Sequence, residues 1–200
     1  MTPQNQTQKK ATANQQASAE ERSLLIKQIY QQVLERQPYI AERRHLADLE
    51  TSFVKGKIGV RHFLKTLALC PIYLEHFYEN SSNLKFIENA FKHFLGRSPQ
   101  NEEEIRIYDE LLLRQGVGVM ISALVDSEEY RQAFGSFTVP HWRKGKHESP
   151  SAYLENELLE KEHAGQRGWV IPTIYWHELH LDCYAGHCNP VRASYSRLRS

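Results

Sequence analysis

The sequence predicts an all-α protein, a compact bundle of about 7–8 helices built from two tandem helical units. Three observations lead there. Ile26–Pro38 (IKQIYQQVLERQP) recurs as Ile87–Pro99 (IENAFKHFLGRSP) at a shift of 61, so that Ile26, Tyr30, Val33, Leu34, Arg36 and Pro38 match Ile87, Phe91, Phe94, Leu95, Arg97 and Pro99. Phe63–Phe77 (FLKTLALCPIYLEHF) recurs as Met120–Phe134 (MISALVDSEEYRQAF) at a shift of 57, with Leu67 on Leu124, Tyr73 on Tyr130 and Phe77 on Phe134. No strand-like alternation of apolar and polar residues is sustained anywhere in the first 135 residues. A duplicated helical scaffold without a polar constellation at its centre points to a binding or assembly module before an enzyme.

The first helix is expected over Ser23–Arg36. Ile26, Ile29, Tyr30, Val33 and Leu34 form a stripe at i, i+3, i+4, i+7, i+8, and Pro38 ends it. The second runs from Ala41 to Lys55 with Leu46, Leu49 and Phe53 inward, and Gly56 is available as a left-handed stop. Val60–Leu69 and Ile72–Glu79 make the third and fourth, broken at Cys70-Pro71 because a residue before proline is driven out of helical angles. The second unit opens at Asn83 as cap and carries Ile87, Ala90, Phe91, Phe94 and Leu95 in the same stripe, closed by Gly96 and Pro99. Asn101 with Glu104 reads as a capping box for a helix bearing Ile105, Tyr108, Leu111 and Leu112. Gly118 leads into Val119–Val125 and Ser127–Phe134. Val139–Lys146 is a basic exit, and Ser149-Pro150 starts an acidic helix over Ser151–His163, ending near Gly165. Trp169–Ser200 is aromatic and histidine-rich with weak periodicity, and no element is assigned to it.

Lysine and arginine (25) balance aspartate and glutamate (24) for a net charge of +1, which disfavours nucleic acid and anionic membranes as partners. The longest nearly apolar run, Val117–Val125, is far short of the roughly 20 residues a spanning helix needs. Cys70, Cys183 and Cys188 are an odd number without a leader peptide, which fits a reducing, cytoplasmic compartment. Residues 1–20, rich in Gln, Asn, Thr and Ala, bury too little apolar surface to offset chain entropy and are expected to be disordered. Residues 21–145 form the helical domain, and 146–200 are an extension.

The residues Val60–Tyr73 (VRHFLKTLALCPIY), Phe91–Pro99 (FKHFLGRSP), Val125–Phe134 (VDSEEYRQAF) and Val139–Arg143 (VPHWR) together resemble the phycobilisome linker polypeptides of light-harvesting antennae. The run from Tyr30 to Tyr39 and the K-H-F-L-G-R segment look most like repeats of the large core-membrane linker. The single domain with a C-terminal segment looks more like a rod-core linker. Two positions depart from the family pattern, Cys70 where serine is usual and Lys65 where arginine is frequent, and the family is typically more basic than +1.

The resemblance implies a non-enzymatic scaffold in the central hole of a phycobiliprotein ring, with phycocyanin or allophycocyanin, or both, as partner. It implies a position on the cytoplasmic or stromal face of the thylakoid, peripheral to the membrane. It implies no cofactor of its own, the bilins belonging to the partners, and an extension that engages other phycobilisome components.

Partner-binding candidates follow from residue type and position. Arg36 and Arg97 occupy equivalent places after helix-ending leucines, where a guanidinium either satisfies helix carbonyls or meets a partner's carboxylates. Tyr39, Tyr78 and Trp142 lie next to turns rather than in helix stripes, and Arg143 follows Trp142 in the exit motif. Tyr73, Phe77, Tyr130 and Phe134 at i, i+4 spacing are expected in the core. The extension holds one weak metal set, His177, His180, Cys183 and Cys188, with His187 nearby, whose spacing matches no common zinc pattern. No catalytic motif is present. Asp126-Ser127 reads as a helix cap, and Gly116 and Gly118 lack the strand and lysine of a phosphate loop. The alternative reading is a stand-alone helical adaptor whose Cys/His tail is a metal or redox clip.

Overall fold

Ser18 starts the first helix through a reciprocal pair of bonds: its Oγ accepts the Glu21 N–H at 3.2 Å and its own N–H donates to the Glu21 carboxylate at 2.8 Å. The computed structural model describes residues 17–143 and 150–161, and the backbone of 183–184 and 187–188. That capping box sets the start of α1 (Ala19–Val33) ahead of Ser23, because Ala19 and Glu20 extend the helix without belonging to its apolar stripe. α2 (Ile40–Val54), α3 (Val60–Ala68) and α4 (Pro71–Phe77) complete the first unit. The second comprises α5 (Asn83–Ala90) running into a π-helical turn (Phe91–Leu95), then α6 (Glu102–Gln115), α7 (Val117–Asp126) and α8 (Glu128–Phe134). In the extension stand α9 (Pro150–Lys161) and two short antiparallel strands, β1 (Cys183–Tyr184) and β2 (His187–Cys188). No helix of the described residues is long and apolar enough to cross a membrane.

Two caps differ from the expectation. Ser82, not Asn83, caps α5 by accepting the Lys85 N–H at 3.2 Å, which leaves Asn83 as the first helical residue. At α6 Asn101 accepts the Glu104 N–H at 2.9 Å, but Glu104 turns its carboxylate to the Gln100 N–H at 2.7 Å and to Arg97 rather than closing a capping box. The break at Cys70-Pro71 falls as expected, with Cys70 extended and Pro71 in the first turn of α4.

Each unit is assembled alike: α1 packs on α2 and α3, and its counterpart, α5 with the π turn, packs on α6 and α7. Equivalent parts also meet at the joint, α3 against α7 and α1 against the π turn. Arg61 stands 3.7 Å from Asp126, while a Cβ on Gly118 would stand 3.7 Å from a Leu69 methyl. At the shift of 57, Gly118 is the counterpart of Arg61 and Leu69 that of Asp126. One close approach is thus made twice, once between charges and once between the Leu69 side chain and the glycine backbone, as an approximate two-fold axis requires. Lys65 reinforces the charged end with an ion pair to Asp126 at 2.5 Å.

The core runs through both units without a gap. Phe63 lies against Tyr30 and Phe53 with ring centroids 6.1 and 5.2 Å apart, and Tyr73 gathers Phe77, Phe86 and Phe94 at 4.9–6.3 Å. Tyr130 and Phe134 are buried in the second unit at the equivalent positions. α9 is held to the second unit by Asn156, whose buried Oδ1 accepts the Ser98 N–H at 2.9 Å and the Ser98 hydroxyl at 3.2 Å, with Leu159 fully buried beside it.

The two units differ at the start of their fourth helices in a way that yields a first prediction. Ser127 caps α8 by accepting the Tyr130 N–H at 3.1 Å, whereas the equivalent Cys70 makes no cap bond and points its Sγ at the Thr66 carbonyl at 3.3 Å. Cys70→Ser should therefore raise stability by about 0.5–1 kcal/mol, the usual worth of a serine cap. A urea unfolding midpoint unchanged or lowered would contradict it.

Candidate functional site

The two corners that follow the first helix of each unit carry the arginines singled out by sequence, and both reach them through a left-handed residue. Glu35 has φ +58° and Gly96 φ +64°. This conformation turns the chain out of the helix and throws the next residue, Arg36 or Arg97, back across the start of the following helix. Gly96 is obligatory, since an added Cβ would fall inside the His141 carbonyl.

At the first corner Arg36 forks onto Glu42 with bonds of 2.6 and 2.8 Å, and its guanidinium lies 4.5 Å above the Tyr39 ring. The Tyr39 N–H donates to the same carboxylate at 2.6 Å. The Glu42 bonds hold Arg36 above the usual arginine range, and the reciprocal bond from Arg36 holds Glu42 below the usual carboxylate range. On this neutralised platform Tyr39 is 68 % exposed and Ile40 82 %. The corner is therefore rigid, uncharged in sum and apolar at its tip.

At the second corner the same fork is closed over. Arg97 bonds Glu104 at 2.7 and 2.9 Å and Glu129 of α8 at 2.6 and 2.7 Å, and lies 5.0 Å above Phe91. Burial alone would lower its pKa, but Glu129 and Glu104 outweigh that and hold it above the usual arginine range. Burial would likewise raise Glu129, and Arg97 with Arg143 outweighs it. Arg143 pairs with Glu129, donates from Nε to the Leu95 carbonyl at 2.8 Å, and its N–H bonds the Gly96 carbonyl at 2.7 Å. The exit segment is thereby stitched to the second corner. The first corner has no such closure, because Ile72 stands where α8 has Glu129.

Tyr78 is half-buried with its ring 4.9 Å from Phe86, and Trp142 is half-buried on the exit segment. Of the sequence-named candidates, the structure brings Arg97, Trp142 and Arg143 together at the second corner, and Arg36 and Tyr39 together at the first. His177 and His180 lie outside the described residues. Cys183 and Cys188 are cross-strand partners in the β1–β2 register.

A polar cluster at the joint went unread in the sequence. The π turn swings Lys92 and His93 inward: His93 is fully buried and Lys92 7 % exposed. Lys92 Nζ reaches Glu35 at 2.6 Å, His93 Nε2 lies 3.4 Å from Glu35, and His93 Nδ1 lies 3.0 Å from the Tyr73 hydroxyl. Gln32 donates to the Lys92 carbonyl at 3.1 Å, supplying the carbonyl of the widened turn with a partner. Burial raises the Tyr73 phenol, and burial lowers His93. For Glu35 burial acts upward, yet His93 and Lys92 hold it well below the carboxylate range. Neutral His93, accepting from Tyr73 and donating to Glu35, fits all three directions. The cluster can fix the angle between the units.

The family described as phycobilisome linker polypeptide matches residues 17–143. Among similar proteins, each bearing the name Phycobiliprotein ApcE, that of Nostoc sp. is 39% identical over 126 residues, 63% of this chain and 11% of the relative. That of Synechococcus sp. is 40% identical over 126 residues, 63% of this chain and 18% of the relative. That of Galdieria sulphuraria is 39% identical over 164 residues, 81% of this chain and 18% of the relative, and so its match extends outside the family segment. The chain spans less than a fifth of the length of each of these relatives.

Proposed function

The chain belongs to the phycobilisome linker polypeptide family, and from that premise we propose that it is a non-enzymatic linker that seats within a phycobiliprotein ring and joins antenna subassemblies. The observation that carries this reading is where the family segment stops. It begins beside the Ser18 cap and ends at Arg143, the residue that ties the exit segment to the second corner, which supports reading the shared segment as one folding body. Its bilins are the partner's, and the linker tunes them by changing the polarity around those that face the hole. It works peripherally at the thylakoid, on its cytoplasmic or stromal face. Residues 146–200 engage a second component of the phycobilisome.

The first corner, Arg36, Tyr39 and Ile40, is the proposed docking point, because an exposed aromatic and aliphatic pair on a rigid base loses little entropy on binding. Tyr78 and Trp142 add half-buried edges, while Arg97 and Arg143 act by holding the frame. A net charge of +1 gives little long-range steering, so attachment rests on these apolar anchors and depends weakly on salt.

The test mixes the purified protein with phycocyanin and, separately, with allophycocyanin, following sedimentation and the bilin absorption maximum. A larger particle with a shifted band supports the proposal and identifies the ring. No change with either ring overturns it. The double variant Tyr39→Ala/Ile40→Ala should weaken ring binding by about thirtyfold, a typical hot-spot loss of about 2 kcal/mol, with the unfolding midpoint unmoved. Ending the chain after Lys161 keeps the Asn156 dock; ring binding should persist and attachment to the second component disappear. Loss of ring binding on that truncation would refute the division of labour.

A further inference from the structure

Neither the linker reading nor the first corner accounts for the two cysteines that the β1–β2 hairpin sets opposite one another. Cys183 and Cys188 are Cα partners in its register, and Tyr184 and His187 are the next pair toward the turn. Opposed residues in an antiparallel ladder have Cα atoms about 4.5 or 5.5 Å apart depending on the phase of the hydrogen bonds, and both values fall inside the disulfide range of about 4.4–6.8 Å. The described part of each strand is two residues long, and an isolated two-stranded pairing is marginal in water. A covalent bridge would remedy that. The metal alternative fits less well: the register groups only the two cysteines in one pair and places His187 in the neighbouring one.

We propose that Cys183 and Cys188 form a reversible dithiol–disulfide pair that locks the hairpin of the extension. The oxidant is an external disulfide of the glutathione class. One cysteine thiolate attacks a sulfur of that disulfide, breaking its S–S bond and releasing one glutathione thiolate, which takes up a proton. The second cysteine thiolate then attacks the protein sulfur of the mixed disulfide, forming the Cys183–Cys188 bond and releasing the second glutathione. Two protein thiols are oxidised and one external disulfide is reduced to two thiols. Cys70 is an internal control, half-buried on the helical domain with burial raising its thiol pKa, which slows its attack.

The experiment equilibrates the full-length protein, stripped of metal, in buffers of graded reduced-to-oxidised glutathione ratio. Samples are acid-quenched and alkylated, and intact and peptide masses are read. Expected is a species two hydrogens lighter, carrying one alkylated cysteine and a cross-link mapped to Cys183–Cys188, exceeding the glutathione adduct by about tenfold or more because the partner thiol is tethered. Cys70→Ser should leave the cross-link intact, whereas Cys183→Ser and Cys188→Ser should each convert it to a glutathione adduct. Three outcomes would overturn the proposal: all three cysteines alkylating equally in oxidising buffer, a cross-link involving Cys70, or adducts at Cys183 and Cys188 without a cross-link. A parallel sample given zinc tests the rival assignment, since stoichiometric zinc retained in the native mass, with both cysteines shielded from oxidation, would make this a metal site instead.

Discussion

Arg97→Ala should cost about 3–5 kcal/mol of stability, while Arg36→Ala, at the equivalent position, should cost about 1 kcal/mol or less. The residue type and the forked carboxylate of the following helix are the same in both units, so the contrast reads what closure of the second corner adds, namely burial, Glu129 and Arg143. Arg97 is 11% exposed and compensates two carboxylates, Glu104 and Glu129, of which the second also anchors Arg143. Truncating it leaves two anions close together beneath the exit segment with one cation for company. Arg36 is 28% exposed and balances Glu42 alone, which water can take over. Arg97→Lys should recover only part of the loss, since an ammonium cannot fork onto both carboxylates. Urea midpoints of the three variants decide the matter. Equal losses at 36 and 97 would mean that closure by α8 and Arg143 contributes nothing.

That asymmetry also marks what the sequence could and could not disclose. The helical repeat was legible because burial repeats with helix geometry: the stripes at shifts of 61 and 57 became α1 with α5, and α3–α4 with α7–α8. The approximate two-fold axis was not legible in the same alignment, because tandem repeats can stack by translation as well as by rotation; the packing of α3 on α7 fixes it. Closure of the second corner was not legible, because Arg97 and Glu129 lie 32 residues apart, and Glu129 reads as an ordinary first-turn carboxylate. The π turn was hidden by the very regularity that exposed the repeat. An α-helical stripe through Ile87, Ala90, Phe91, Phe94 and Leu95 sends Lys92 and His93 to the polar side, whereas the widened turn carries them inward. Two charged-type residues beside a buried stripe, facing a glutamate in left-handed conformation in the other unit, left no local trace.

Because that cluster is buried, its protonation is coupled to folding, and the protein should lose stability in acid in two stages. His93 has its pKa lowered in the folded state by burial, so above its ordinary value of 6.5 it is neutral in both states. Below 6.5 the unfolded chain takes up the proton first, and stability falls as the pH drops toward the folded value. Glu35 is also depressed, so its contribution is complete above the ordinary 4.5 and is lost as the pH falls below it. Each fully coupled proton tilts stability by about 1.4 kcal/mol per pH unit, and the His93 window opens at higher pH than the Glu35 window. Urea midpoints taken in steps from pH 7.5 to 4 should therefore decline first below about 6.5 and again below about 4.5, where Glu42 and Glu129, also held low, add to Glu35. His93→Gln, which can still meet Tyr73 and Glu35, should flatten the upper stage and leave the lower. Glu35→Gln should weaken the lower stage, and because it also removes the carboxylate facing Lys92 it should lower stability at pH 7.5 by about 3 kcal/mol or more. An upper slope unchanged in His93→Gln would place the acid sensitivity among the exposed histidines and remove the joint from the account. In both windows the proton is taken up by the unfolded chain while the folded joint keeps its neutral His93 and ionised Glu35, so acid lowers the stability of the whole fold without loosening the angle between the units beforehand.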